Sequence, residues 1–286
     1  MGEQQEVSRT LDVGLLHNQY GATFTHIIGE STETLRSLVS SSPRPILLSS
    51  WRPEVYDDLL KIEPSIKFHP LSHEVAPGLN ALNQIRDIVM SAYVEGFFGS
   101  TDRILCITRI GAYFESVLFV DMRYDESVTR LKKDLEGRAD IHVIETVLQI
   151  AGEIAREGRE KGHVGAIFVI GDTERVMKVS RQVVINPFFG HPPEDRDILH
   201  PSTWETAKEF SQIDGAFIIR EDGIIEAAGR YIEVKNPVAL PSGLGGRHLA
   251  AAAVSKETRA IAIAVSETGV IRIFKDGEIV MRIGTS

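Results

Sequence analysis

Apolar positions along the chain change period several times, and each change marks an element. Residues 33–39 carry a short helical spacing, and the nearly unbroken apolar run at 45–50 reads as a short buried strand. A helix over about 53–61 and an extended stretch at 66–68 follow. Across 81–93, Leu82, Ile85, Ile88, Val89 and Ala92 recur at helical steps; two strands, 103–109 and 117–120, come next with Gly111 between them. Strands alternating with helices predict a small three-layer α/β unit with a largely parallel sheet.

From 121 to 140 the pattern gives way to charge, with Asp121, Arg123, Asp125 and Glu126 and then Arg130, Lys132, Lys133 and Asp134. The stretch lacks Gly, Pro and Ser enrichment, so it predicts a helical boundary rather than a floppy linker. The expected domains are 1–125 and 126–286.

Beyond the boundary, Ile141, Ile144, Val147, Leu148, Ala151, Ile154 and Ala155 trace one helical stripe that Gly162 ends. A buried strand is expected at 165–170, a short helix capped by Thr173, and an extended stretch at 183–185. Residues 186–193 hold too many breakers for regular structure. A short helix at 204–210 takes Ser202 or Thr203 as its cap. Two hairpins follow, 216–220 with 224–228 around Asp222-Gly223, and 271–275 with 278–283 around Asp276-Gly277. Asp-Gly between apolar runs favours positive φ at both turn positions. Between the hairpins lie an Ala-rich helix at 249–255 and a strand at 260–265. The fold class is α/β: an N-terminal three-layer domain, then a mixed β-sheet flanked by helices.

The chain has 286 residues, 43% of them hydrophobic, enough for one large domain or two smaller ones. Its 31 basic and 40 acidic residues leave a formal charge of −9. Such a surface attracts neither nucleic-acid phosphates nor anionic lipid, so no nucleic-acid or membrane partner is expected. A polyanionic ligand must meet a local basic spot or a metal ion. Cys106 is the one cysteine and sits in an apolar run, which predicts a buried thiol, no internal disulfide and a reducing compartment. The polar stretch 1–12 lacks a signal-peptide core and no apolar run is long enough to span a bilayer, so the expected location is cytoplasmic. The histidines outside 240–248 show no metal-ligand spacing, and there is no Cys/His cluster, Walker loop or nucleophile elbow.

Three places carry chemistry. Asp214-Gly215-Ala216 enters a bulky apolar strand, where a carboxylate can bind a divalent cation or take a proton from a hydroxyl. Gly215 and Ala216 let a ligand approach the backbone; taken alone, a carboxylate in that place more commonly caps a turn. Gly243, Gly245 and Gly246 precede a helix with Arg247 and His248 at its start, offering backbone N–H groups, a guanidinium fork and a titratable ring to an anion. The alternative is an ordinary Gly-rich loop with a solvated arginine. Ser266-Glu267-Thr268-Gly269 closes the strand at 260–265, either as a ligand contact or as a plain turn. Ser255 and Thr258 are hydroxyls that serve capping as readily as ligand binding.

In this order and spacing, these elements resemble the diadenylate cyclase (DAC) domain, over about 127–286. That family pairs an Asp-Gly-Ala motif with a Gly-Thr-Arg-His-Arg motif opening a helix. The first stands here as Asp214, Gly215 and Ala216; the second stands as Gly245, Gly246, Arg247, His248 and Leu249, departing at Gly246 and Leu249. Ala250-Ala251, Ser255, Thr258 and Ser266-Glu267-Thr268-Gly269 continue the likeness. Residues 1–125 resemble the pyruvate-kinase C-terminal-like α/β module of the archaeal diadenylate cyclases, on architecture more than on residues.

The resemblance implies condensation of two ATP into cyclic di-AMP with release of two pyrophosphates, between two facing DAC domains of a homo-oligomer. It makes Asp214, Arg247 and His248 catalytic and Asp214 the ligand of a divalent metal ion, Mn²⁺ or Mg²⁺. It gives ATP binding to Gly215, Ala216, Gly245, Gly246, Arg247, Ser255, Ser266 and Glu267. Leu249 removes a cation from that motif, for which Lys256, Arg259 or another basic residue could compensate. The alternatives are a catalytically weak or silent ATP or cyclic di-AMP sensor and a different nucleotidyl chemistry on the same scaffold.

Overall fold

The computed structural model describes residues 11–71, 74–76, 81–110, 114–157, 165–233, 238, 240–241 and 243–283. Gly111, Gly162 and the first ten residues, each part of an expectation above, lie outside them. The chain divides into two compact units, Met1–Ile88 with Phe97–Asp125, and Val89–Gly96 with Glu126–Ser286. Both are α/β with a mixed sheet flanked by helices.

In the first unit, strands β1 (Phe24–Gly29), β2 (Ile46–Ser50), β3 (Lys67–Pro70), β4 (Arg103–Ile110) and β5 (Phe114–Asp121) lie in the order β3-β2-β1-β4-β5. The first four run parallel and β5 returns antiparallel on β4. Helices α1 (Val13–Tyr20), α2 (Thr32–Ser41) and α3 (Pro53–Leu60) accompany them, with α4 (Ala81–Val94) as far as Ile88. Ile27, Leu48, Leu105 and Ile107 of the sheet pack with Leu35 and Leu38 of α2 and Val55 and Leu59 of α3.

Two elements were not expected. Strand β1 holds Thr25 and His26 at fully buried positions, where polar residues break the apolar run. Thr25 and one ring nitrogen of His26 find partners inside the fold, while His26 Nδ1 is buried without one among the described residues. Thr25 Oγ1 donates to the Pro43 carbonyl (3.0 Å), His26 Nε2 meets Ser49 Oγ (2.7 Å), and Ser49 Oγ meets His69 Nδ1 (2.8 Å). Helix α1 is short and defined by its ends, with Asp12 Oδ1 accepting from Leu15 N–H and Gly21 closing it at φ 57°. Leu82 is 57% exposed, because the buried stripe of α4 begins at Ala81, four residues before Ile85. Cys106 is fully buried as expected, and burial pushes its thiol up to about 12.

The second unit contains α5 (Glu126–Leu135), α6 (Ile141–Glu157), β6 (Ala166–Ile170), α7 (Thr173–Lys178), β7 (Ser180–Gln182), α8 (Pro201–Phe210), β8 (Ala216–Ile219), β9 (Ile225–Ile232), α9 (Gly246–Glu257), β10 (Ile261–Val265), β11 (Ile271–Lys275) and β12 (Glu278–Ile283). Its sheet runs β12-β11-β10-β6-β8-β9-β7, and β6 with β8 is the parallel pair. One face packs against α9: Ala262 and Ala264 of β10 meet Ala251, Ala252 and Val254 of the helix. Small residues on both sides bring helix and sheet close, which is why the Ala-rich segment is interior rather than surface. On the alternate residues of β6, Phe168 stacks on Phe217 (5.0 Å between centroids), which leads through Phe188 to Phe210 of α8.

Local expectations shift in instructive ways. The edge strand is Ser180–Gln182, not 183–185, because the buried Arg230 fixes that segment through Ser180 Oγ (2.9 Å), Ser180 O (2.6 Å) and Met177 O (2.9 Å). Thr173 is the first residue of α7 rather than its cap; Asp172 holds the cap position, and its carboxylate accepts from Arg259 N–H (2.7 Å). Helix α8 starts at Pro201 after His200, so neither Ser202 nor Thr203 caps it. Asp276 and Gly277 both take positive φ (53° and 87°), whereas at the other hairpin only Gly223 does (97°). Among the described residues no helix is long and apolar enough to cross a membrane.

Candidate active site

The sheet register assembles the site at one end of the second unit. Phe168 pairs with Phe217 in the parallel ladder, and continuing that register sets Gly165 beside Asp214. Val265 pairs with Ala166 in the antiparallel ladder, which brings Ser266 to the same row. Arg247 closes the group. A Cβ at Gly165 would lie 2.7 Å from its Nη1, and that nitrogen donates to Glu267 Oε1 at 2.8 Å. Asp214, Arg247, Ser266 and Glu267 therefore share one end of the sheet although 53 residues separate the first from the last.

Asp214 is exposed and makes no hydrogen bond or ion pair among the described residues. Its neighbour Gly215 sits at φ 117°, and a Cβ there would come within 2.5 Å of the Gly229 carbonyl carbon and 2.6 Å of Arg230 N. Only glycine fits, because both atoms are backbone. Ala216 is fully buried as the first residue of β8. A tight backbone crossing thus fixes the turn that presents the carboxylate.

The loop before α9 is built the opposite way. A Cβ on Gly243, Gly245 or Gly246 would meet nothing within 4 Å. These glycines border open space above the helix N-terminus, where the Gly246 and Arg247 N–H groups can face an anion, those of His248 and Leu249 going to the Gly245 carbonyl (3.1 and 3.2 Å). Gly245 is the cap residue and provides no side-chain acceptor. Arg247, on this turn, carries the sign a phosphate needs.

His248 differs from expectation. It is 5% exposed, beside the Phe274 ring, with Nε2 3.0 Å from Arg272 Nη1. The guanidinium can only donate, so Nε2 accepts and the ring proton sits on Nδ1. Burial, then the charges of Arg272 and Arg247, hold its pKa below 6.5. It is a neutral ring at pH 7 rather than a titrating donor.

Ser255 falls at the other end of α9. It is fully buried; its hydroxyl donates to the Ala252 carbonyl (2.9 Å) and accepts from Gly277 N–H (3.1 Å), pinning the β11–β12 turn. Those bonds turn it toward the β11–β12 turn, so the structure does not bring it together with the group around Asp214. Thr258 likewise bonds back to Val254 O (2.7 Å). Lys256 packs over Gly277, and Arg259 lies by Asp172, so neither cation sits beside Leu249, which is 38% exposed. Sequence reasoning missed Arg272; its signal, an arginine between two isoleucines of a strand, had no partner until the fold supplied one.

Could the group hold a metal? No group of three or more His, Cys, Asp or Glu side chains arranged to hold a metal ion occurs among the described residues. An exposed carboxylate beside a guanidinium and a helix N-terminus is compatible with Mg²⁺ or Mn²⁺ chemistry, which takes one or two carboxylates and fills the rest with phosphate oxygens and water. A depression of about 800 Å³ at the opposite end of β6 and β8 does not compete: Asp172, Glu174, Glu221 and Glu226 outnumber Lys178 and Arg220 there, the wrong sign for a polyphosphate.

Residues 153–279 match the family model described as DAC, DisA bacterial checkpoint controller nucleotide-binding. A diadenylate cyclase of Methanocaldococcus jannaschii is 50% identical over 138 residues, covering 48% of this chain and 44% of that protein. One of Haloferax volcanii is 36% identical over 209 residues, covering 71% of this chain and 76% of that protein. The DNA integrity scanning protein DisA of Carboxydothermus hydrogenoformans is 34% identical over 121 residues, covering 41% of this chain and 30% of that protein. The chain thus spans less than half the length of the first of these relatives and about three quarters of the second.

Proposed function

The chain belongs to the diadenylate cyclase family, and from that premise we propose that it condenses two ATP into cyclic di-AMP and two pyrophosphates. The observation that carries the reading is the convergence of Asp214, Arg247, Ser266 and Glu267 at one sheet end beside an open, glycine-lined helix N-terminus. In each half-reaction a 3′-oxygen bonds to the α-phosphorus of the other nucleotide. The bond from that phosphorus to pyrophosphate breaks, and the hydroxyl proton leaves. Asp214 is the carboxylate placed to receive that proton, and Arg247 with the first N–H groups of α9 holds phosphate oxygens. Glu267, now paired with Arg247, releases the guanidinium when a phosphate replaces it. His248, buried and neutral, acts behind this group. A divalent ion, Mn²⁺ or Mg²⁺, would be held by Asp214 and, when bound, would neutralise phosphate charge and acidify the 3′-hydroxyl.

One chain offers one such cradle, so the second nucleotide comes from a facing copy. Apolar surface beside the site favours this pairing: Ile185 is 90% and Phe189 86% exposed, on the segment whose Val184 lies against Gly229, the residue behind Gly215. Residues 126–286 form the catalytic domain in this reading. Residues 1–125 are read as the pyruvate-kinase C-terminal-like module, on their alternating strands and helices. The test is incubation of the purified chain with ATP and Mn²⁺ or Mg²⁺, with products identified by mass spectrometry. Cyclic di-AMP is expected, and Asp214→Asn should lower its formation by roughly two to three orders of magnitude without unfolding the protein. No product with any divalent metal would sink the reading. The exposed apolar Leu249 favours one alternative, an ATP or cyclic di-AMP sensor with little or no turnover, and nucleotide binding without product would establish it.

A further inference from the structure

Arg272 projects from β11 toward the first turn of α9. In register it faces Ala264, one residue short of the end of β10 that leads into Ser266 and Glu267. Its guanidinium is partly buried, and its hydrogen bond among the described residues goes to the His248 ring. No carboxylate among the described residues pairs with it. Its neighbours add positive charge instead: Arg282 stands opposite it in the β11–β12 ladder, and Arg247 acts on the same histidine. Burial and then Arg282 depress its pKa, the sign of a cation kept without an anion.

A partly buried guanidinium among other cations is costly unless an anion completes it. The anion is defined by what lies around it. The glycines at 245 and 246 leave open room over the helix N-terminus, and Arg247 reaches the same end from the other side of the turn. Resting on the reading of this site as ATP-binding, we propose that Arg272 is a phosphate-binding residue of that site, sharing with Arg247 the charge of the bound triphosphate. Leu249 leaves the helix itself without a second arginine, and β11 supplies one from the sheet. A planar fork at this place can take two phosphate oxygens at once. The histidine beneath it, accepting one N–H, holds the fork in position and leaves its remaining donors to the ligand.

The test is calorimetric titration of the full chain with an ATP analogue bearing a methylene between the α- and β-phosphorus, and separately with adenosine. Wild type, Arg272→Met and Arg272→Lys are compared. Methionine keeps an apolar stem and removes the charge, so the analogue's Kd is expected to rise about tenfold to a hundredfold. Adenosine binding is expected to stay within about twofold. Lysine should recover part of the loss, since it restores the charge without the fork. Analogue binding by Arg272→Met equal to wild type would overturn the proposal, because the guanidinium would then meet no phosphate. An equal loss of adenosine and analogue would also overturn it, because the residue would then only support the fold. If the methionine variant does not fold, Arg272→Lys decides on the same ligands: a weakened analogue with unchanged adenosine upholds the proposal, and any other pattern overturns it. A wild-type chain that binds neither ligand fails the ATP reading itself, and the proposal with it, whereas wild-type binding with an indifferent Arg272→Met fails this inference alone.

Discussion

The two ends of the seven-stranded sheet use similar residue types to opposite effect. At the end where β6 and β8 finish, charges and hydroxyls are consumed by the fold. Arg138 makes a paired contact with both oxygens of Asp276 (2.9 Å each) and donates to the Arg259 carbonyl (3.0 Å); Asp172 takes the Arg259 N–H, and Ser255 takes Gly277 N–H. At the end where those strands begin, Asp214 has no partner among the described residues, three glycines border open space, and two arginines crowd a neutral histidine. Asp214 is exposed and solvated rather than buried and unsatisfied, so the second end keeps polar groups outside the fold's own hydrogen bonds where the first end has bonded them in. The contrast separates structural from functional polarity more sharply than residue type does.

The largest effect that could break this contrast concerns Gly215, where the open end is built on a rigid crossing. Gly215→Val is expected to cost roughly 3 kcal/mol or more in urea unfolding, since its Cβ would overlap the Gly229 and Arg230 backbone at positive φ. A variant as stable as wild type would show that the turn relaxes and that Asp214 is not rigidly held. Next in size is Ser255→Ala, expected to lower stability by about 1–2 kcal/mol while leaving the KM for ATP unchanged. A raised KM with little loss of stability would move Ser255 from the structural end to the nucleotide. The smallest effect is on pH dependence. His248 has a folded-state pKa below its unfolded value of 6.5, so the unfolded chain binds more protons as pH falls below 6.5. The stability this group contributes is complete above that pH and declines beneath it, by up to about 1 kcal/mol at pH 6. Melting temperatures from pH 8 to 5.5 should fall more for wild type than for His248→Gln, and parallel curves would deny the histidine its buried neutral state.

Much of the candidate site's local structure was legible as sequence, and for a local reason. Asp214-Gly215-Ala216 and Gly245 to His248 are element boundaries, where a strand and a helix begin, and boundaries are marked by the residues that make them. The Asp276-Gly277 turn was legible likewise, both residues taking the positive φ their identity favours. What local pattern could not show was direction. Ser255 and Arg247 lie on one helix eight residues apart, yet one is sealed against Gly277 and the other reaches Glu267. Strand β1 was illegible because Thr25 and His26 look polar in sequence, while Ser49 on the neighbouring strand, itself bonded to His69, takes one ring nitrogen of the histidine inside the sheet.

By itself, then, the chain determined where its elements begin and turn, its α/β class, and which residue types could handle a polyphosphate. Those follow from periodicity, turn conformations and short motifs, all properties of near neighbours. Only the tertiary structure decided which of those groups meet. Strand register set Asp214 beside Gly165, and the packing of α9 on alanines brought Arg247 over that glycine. The pairing of β10 with β11 carried Arg272, 25 residues after Arg247, to the same helix turn. Register and close packing are long-range constraints, and no stretch of sequence contains both partners of either.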